Sequence, residues 1–191
     1  MLKINSNGSF SVIHAHYSPI KTIDFSKDGK IILTGSDDKT LKLFRIDNKT
    51  LINTLTSHFN KINCARFSLD SSQIVSGGED KTVKIWDVSS KKLLYTFVDS
   101  KGAINDINFH PEGSCIAAGS SNKKIYIWDN RDKTPIQIYN AHNNSVTGVS
   151  FHKAGNYFVS SSFDSTLKIW DLRNGKTLYS LYAHEVILVI N

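Results

Sequence analysis

Apolar and polar residues alternate along this chain in short runs separated by small or polar clusters. Between residues 62 and 97 the pattern is clearest. Ile62, Ala65 and Phe67 form a first run and Leu69-Asp70-Ser71-Ser72 a break. Ile74-Val75-Ser76 is the second run, Gly77 to Lys81 the second break. Val83, Ile85 and Trp86 make the third run, Leu93 to Phe97 the fourth. Period-two runs of this length predict strands rather than helices, and the close breaks predict hairpins, hence a four-stranded antiparallel meander.

The same meander recurs. His16, His58, Ser100, His142 and His184 are spaced by 42 residues, as are Phe44, Trp86, Trp128 and Trp170, and Phe25, Phe67, Phe109 and Phe151. Two further columns, Ile23-Ala65-Ile107-Val149 and Leu43-Ile85-Ile127-Ile169, stay apolar while intervening positions vary. A fixed period in the 40s marks supersecondary units that cannot bury their apolar faces alone and therefore stack. The fold class read from this is all-β, with four full units at about 16–57, 58–99, 100–141 and 142–183 forming a single domain over 1–191. The function of such an array is sought on an assembly surface before a pocket.

GGEDKTVKIWD (77–87) and SSFDSTLKIWD (161–171), each about 20 residues after a loop histidine, resemble WD40 repeats. That resemblance implies β-propeller blades of four antiparallel strands around a central channel. It also implies a hydrogen-bonded tetrad of a loop His, a second-strand Ser or Thr, a turn Asp and a third-strand Trp. Repeat two supplies His58, Ser76, Asp80 and Trp86; repeat four supplies His142, Ser160, Asp164 and Trp170; repeat one has His16, Thr34 and Asp38 with Phe44 in place of Trp. In repeat three Ser100, Ala118 and Asn122 stand at the three polar positions. Joint replacement is what polar satisfaction predicts, because a lone buried Asp or His would lack its partner. The network reads as lost as a unit there, and tetrad removal is expected to destabilise rather than inactivate.

Phe10 and Ile13 stand one period before Ile52 and Leu55, so residues 8–13 read as the outer strand of a preceding blade, the strand that closes a WD40 ring. Residues 184–191 read as a truncated fifth repeat, its segment Val186 to Ile190 an apolar edge strand. The expectation is part of a seven-bladed ring, with a chain that closes by oligomerising or as a four-bladed ring as the alternatives.

Composition adds limits. Cys64 and Cys115 match no metal or redox spacing and read as free thiols in a reducing compartment. No run of 18 apolar residues and no secretory leader is seen, so no membrane role is read and the expected location is cytosolic or cytoskeletal. The formal charge is +6. Lys39, Lys42, Lys81, Lys84, Lys123, Lys124 and Lys168 lie at repeat-related places rather than in one run, which reads as solvated blade surface. Attraction to an acidic partner, a filament such as tubulin or RNA, is the alternative, and nucleic acid is not favoured.

No enzyme, cofactor, metal or small-molecule substrate is read. Ser160, His142 and Asp164 have the residue types of a hydrolase triad, but no Gly-x-Ser-x-Gly elbow accompanies them. Gly77-Gly78 is read as a hairpin turn, not a phosphate loop. The stretches 109–131 and 140–185, with Phe109-His110-Pro111, Cys115 to Ala118, Gly155-Asn156-Tyr157 and Asp164 to Ile169, resemble later blades of the proteome-of-centriole family. That resemblance implies a scaffold of the centriole and basal body, with tubulin or triplet-associated partners and a part in cilium assembly. A generic WD40 adaptor, such as a ubiquitin-ligase substrate receptor, and a ribosome-assembly propeller are the alternatives. The partner-binding candidates are Tyr17, Phe59 and Phe163, with Lys61 and Lys101 as charged companions.

Overall fold

The computed structural model describes residues 12–182. Among them are sixteen strands and no helix, arranged as four separate four-stranded antiparallel sheets. Blade one holds β1 (Ile20–Phe25), β2 (Ile31–Ser36), β3 (Thr40–Arg45) and β4 (Leu51–Thr56). Blade two holds β5 (Ile62–Phe67), β6 (Gln73–Gly78), β7 (Val83–Asp87) and β8 (Leu93–Phe97). Blade three runs through β9 (Ile104–Phe109), β10 (Cys115–Ser120), β11 (Lys124–Asp129) and β12 (Pro135–Asn140), and blade four through β13 (Val146–Phe151), β14 (Tyr157–Ser162), β15 (Thr166–Asp171) and β16 (Lys176–Tyr182). Residues 8–11 of the expected closing strand and the partial repeat 184–191 lie outside the described residues; Val12 and Ile13 belong to no strand.

Each sheet is a plain meander paired in sequence order, and all four bend at the same two places. The first strand skips one residue against the second, as between Ile62 and Cys64. The outer strand skips one opposite the third-strand aromatic: Trp86 pairs with Leu93 while Ile85 pairs with Tyr95, and Phe44, Trp128 and Trp170 show the same slip. Bulges of this kind increase local twist, and one beside each large aromatic gives the ring room against the sheet.

The cores lie between blades rather than within them. Leu33, Leu41, Leu43 and Leu55 of blade one meet Ile62, Ala65, Ile74 and Trp86 of blade two. Equivalent clusters join blade two to blade three and blade three to blade four. This is why the apolar columns recur at 42 residues: each blade has two faces to bury. The outermost faces depart from the expectation. Ile23 is 45% exposed and Ile169 only partly buried, whereas Ala65 and Ile107 are fully buried, because among the described residues no blade packs on those faces.

Inner strands are also laced to their neighbours. The Asp24 carboxylate accepts from Phe67 N–H at 2.8 Å, and Asp106 accepts from Val149 N–H at 3.0 Å, each reaching one blade onward. Gly77 and Gly78 correct the hairpin expectation. Both lie inside β6, and their smallness answers to packing: a Cβ on Gly77 would stand 2.4 Å from Ile104 Cγ2, one on Gly78 2.3 Å from the Lys61 carbonyl oxygen. The turn that follows takes its positive φ at Lys81 instead (65°).

Candidate functional site

In a four-stranded meander the loop entering the first strand and the turn between the second and third lie at the same end. The histidines and aspartates singled out above therefore share one face. In blade two His58 Nδ1 is 2.7 Å from Asp80 Oδ2, His58 Nε2 is 2.7 Å from Ser76 Oγ, and Trp86 Nε1 donates to Ser76 Oγ at 2.9 Å. Because a carboxylate only accepts, the imidazole carries its proton on Nδ1 and the order is fixed: indole to serine, serine to imidazole, imidazole to aspartate. Asp80 also accepts from Phe59 N–H at 3.0 Å and from Thr82 N–H at 3.1 Å, which pins both turns to the network.

Blade four repeats the arrangement. His142 Nδ1 lies 3.1 Å from Asp164 Oδ2 and Nε2 2.7 Å from Ser160 Oγ, which takes the Trp170 indole at 2.9 Å. In blade one His16 meets Asp38 at 2.8 Å and Thr34 at 2.7 Å, with a buried Phe44 in the tryptophan column. Burial works to raise the Asp80 and Asp164 carboxyls, but hydrogen bonds and the neighbouring imidazole outweigh it and hold each at about 2. Burial pushes the His142 imidazole below its ordinary value, against the pull of Asp164.

Blade three has no tetrad, yet its polar groups are not simply gone. Trp128 Nε1 donates to Asp99 Oδ2 at 2.9 Å, and Asn122 Nδ2 donates to the Tyr126 hydroxyl at 2.7 Å. Ser100 Oγ turns to the Gly102 carbonyl at 2.8 Å. Asp99 sits one residue ahead of the histidine column, where the other repeats have Ala15, Ser57 and Ala141, so a column-by-column reading passes over it.

The serine–histidine–aspartate order invites a hydrolytic reading. Ser76 and Ser160 have no solvent exposure, and each hydroxyl oxygen already accepts an indole N–H. No scissile carbonyl can approach them. Cys64 and Cys115 are buried free thiols, with burial pushing the first up and the second to about 11, far from a reactive thiolate.

On the same face stand the partner candidates. Tyr17 is 99% and Phe59 80% exposed, each directly after its loop histidine on adjacent blades, and a lysine ammonium lies over each ring: Lys42 Nζ 5.7 Å from the Tyr17 centroid, Lys84 Nζ 5.9 Å from that of Phe59. Phe163, partly exposed, is in the second turn of blade four, separated from them by blade three, which presents the exposed Lys101. Lys61 is engaged within the fold, its ammonium 3.4 Å from Asp37 of blade one.

A family model described as nucleolar protein 10-like, N-terminal domain, matches residues 51–191, more than half of the chain, and a WD domain, G-beta repeat model matches residues 7–45. The chain belongs to the nucleolar protein 10-like N-terminal domain family. No curated protein matches it.

In this nucleolar protein 10-like domain three of the lysines read as solvated surface do something else. Lys42 and Lys168 donate to the Ala15 and Ala141 carbonyls, both at 2.7 Å, and Lys84, fully buried, donates to Thr96 Oγ1 at 3.1 Å. They form one column on the third strand; two of the ammonium groups hold carbonyls just ahead of a tetrad histidine, and the third holds a hydroxyl of the fourth strand. Burial lowers the Lys84 pKa, with Asp80 opposing. Their repeat spacing was the available signal; it marks structural roles as readily as surface ones.

Proposed function

We propose that this chain is a non-enzymatic interaction module of a nucleolar assembly, and that it takes a protein partner on the tetrad face through Tyr17 and Phe59, with Lys101 and Phe163 at the margin. The observation that carries the partner surface is the exposure of two large rings that pack in no core, each with a lysine ammonium near its centroid, at 5.7 and 5.9 Å. Rings held outward in this way are typical anchors of protein contacts. WD40 propellers are interaction modules as a family, and the buried serines give the triad-like networks a structural task. The nucleolar setting is supported by the family's description. A centriolar scaffold of the cytoskeleton with tubulin or triplet-associated partners is the second reading, and its support is the sequence likeness over 109–131 and 140–185 alone.

The test has two parts. Imaging of the endogenous protein with an antibody against residues 100–185, beside nucleolar and centriole markers, is expected to give nucleolar signal. Signal confined to the centriole would replace the nucleolar setting with the second reading. The double variant Phe59→Ala, Phe163→Ala is expected to lose most partner recovery in affinity purification while melting within a few degrees of the parent. Undiminished recovery would remove these residues from the partner surface.

A further inference from the structure

The opposite face, formed by the turns that join first to second strands, carries a second feature that the tetrad-side surface does not use. At the ends of the inner strands of blades two, three and four is a cavity of about 450 Å³. Its walls are the rings of Phe67, Phe109 and Phe151 together with Leu69 and Pro111. The phenylalanines belong to a repeat column, so their presence reflects the fold. Leu69 and Pro111 do not: the equivalent positions in the flanking repeats are Lys27 and Lys153. The turn therefore accepts a lysine, and blades two and three place the apolar Leu69 and Pro111 there instead. Leu69 stands 63% exposed at the tip of its turn and forms part of the cavity wall.

Two polar residues line this cavity with no hydrogen-bond or ion-pair partner for their side chains among the described residues. Asn108 lies in the column of Asp24 and Arg66, which both reach a hydrogen-bond partner in a neighbouring blade, the Phe67 N–H and the Thr22 hydroxyl respectively. The Asn108 side-chain amide makes no such bond among the described residues, although it is only partly exposed. The exposed Lys153 ammonium on the rim has no ion pair among the described residues. Of the acids in the adjoining groove, Asp70 is taken up by Ser68 Oγ at 2.6 Å and Ser72 N–H at 3.1 Å. Glu112 lines that adjoining groove, as do Arg131 and Lys27, and is not among the residues that line the cavity.

The cavity is also preformed. His110 at its base accepts from Glu112 N–H at 3.1 Å on Nδ1, so its Nε2 carries the proton and donates to the Gly155 carbonyl at 3.0 Å. The ring meets Phe151 edge-on at 5.2 Å, which ties blade three to blade four under the cavity. Apolar walls, few convergent polar groups and a rigid floor are the usual composition of a binding pocket, and the volume lies within the range of about 300–1,000 Å³ for such sites.

We propose that this pocket docks a linear peptide segment of another protein, a leucine- or phenylalanine-sized side chain next to acidic residues. The apolar side chain fills the space between Phe67, Phe109 and Phe151 and covers Leu69. Asn108 takes the peptide backbone, donor and acceptor at once, and the acidic flank faces Lys153, where no protein carboxylate competes. A chain of charge +6 favours such a segment over a basic one.

The test is selection of a random dodecapeptide display library against the full chain, followed by fluorescence anisotropy of the enriched peptides. Enriched sequences are expected to pair Leu, Phe or Trp with Asp or Glu. Leu69→Asp, on an exposed turn where the fold has no stake, is expected to weaken them at least about tenfold, and Lys153→Glu about fivefold. Phe59→Ala, on the other face, is expected to leave them unchanged, which separates this site from the tetrad-side surface. Enrichment without the apolar–acidic pairing, no enrichment, or binding that Leu69→Asp does not affect would overturn the proposal.

Discussion

Blades two and three solve one problem in two ways. Both bury a third-strand tryptophan almost completely, and both must give its indole N–H an acceptor. Blade two provides a serine backed by histidine and aspartate, four side chains in series from three separate segments. Blade three provides a single aspartate from the entering loop, and rings fill the rest of the space: Phe97 of blade two lies stacked on Trp128 at 4.9 Å, and Tyr126 lies at 5.5 Å, nearly parallel to it at 9°. Tyr126 occupies the column where blades one, two and four carry Lys42, Lys84 and Lys168. What is common to the two blades is the donor to be satisfied; the residues that satisfy it are exchangeable. A tetrad also ties two turns together, whereas the pairing in blade three ties one loop to one strand. The tetrad is therefore the more costly of the two to break.

The largest difference is expected on removing the aspartate. Asp80→Ala leaves the His58 Nδ1–H, the Thr82 N–H and the Phe59 N–H without an acceptor. With about 1–3 kcal/mol for each buried orphan, and Phe59 N–H able to turn to water, a loss of about 3 kcal/mol is expected from urea unfolding. A loss under about 1 kcal/mol would mean that the network is no stronger a tie than blade three's.

Acid sharpens the same contrast next. The Asp80 and Asp164 carboxyls are held at about 2 in the fold, while the unfolded chain takes its proton near ~3.9. The unfolded state thus binds more protons between those values. The stability these groups contribute is fully present above about pH 4 and is lost as the pH falls toward about 2. His142, its pKa lowered by burial, adds a loss of the same sign that starts below about 6.5. The three tryptophan indole N–H signals are natural reporters. Those of Trp86 and Trp170 are expected to lose exchange protection through this range, because their acceptor serines are oriented by the titrating pairs. Protection of both that persists undiminished to pH 2 would contradict the assignment of the proton order.

What the sequence alone makes legible follows from what a repeat can and cannot reveal. The strands, the apolar columns and the composition of the tetrads in blades one, two and four were readable, because a 42-residue spacing compares like with like. The joint absence of His, Ser and Asp from repeat three was also visible. Its replacement was not, since Asp99 lies one position off the column and its role depends on where the loop bends. The lysines misled for the converse reason. Lys42, Lys84 and Lys168 share a column, but only the geometry tells whether a column points to water or to the carbonyls of Ala15 and Ala141 and the hydroxyl of Thr96. Gly77 and Gly78 misled similarly, their reason being close packing, on Ile104 of the next blade and on the Lys61 carbonyl of their own, rather than a backbone angle.

A smaller effect is expected at Asp99. Asp99→Ala leaves the buried Trp128 indole without its acceptor but frees no other group, so a loss of about 1–2 kcal/mol is expected, measured as a shift in urea midpoint with unchanged slope. Should it equal the loss in Asp80→Ala, the single bond would be as strong a tie as four side chains in series.

The smallest effect is expected from alanine at the position that is aspartate in the tetrads and asparagine in blade three. Asn122 makes one donor contact, to Tyr126, while its Oδ1 is buried with no hydrogen-bond partner. Asn122→Ala removes a bond and an orphaned acceptor together. The two terms oppose each other at about 1 kcal/mol each, so the net change should lie within about 0.5 kcal/mol of zero. Asn122→Asp would restore the tetrad carboxylate by type but not by context. Ser100 cannot supply an imidazole, so the carboxylate would be partly buried without a cationic or Nδ1–H partner, and a loss of about 1–3 kcal/mol is expected from urea unfolding at neutral pH. If Asn122→Asp instead stabilised blade three, the aspartate would hold its turn independently of the histidine, and the tetrad would be two separate devices rather than one.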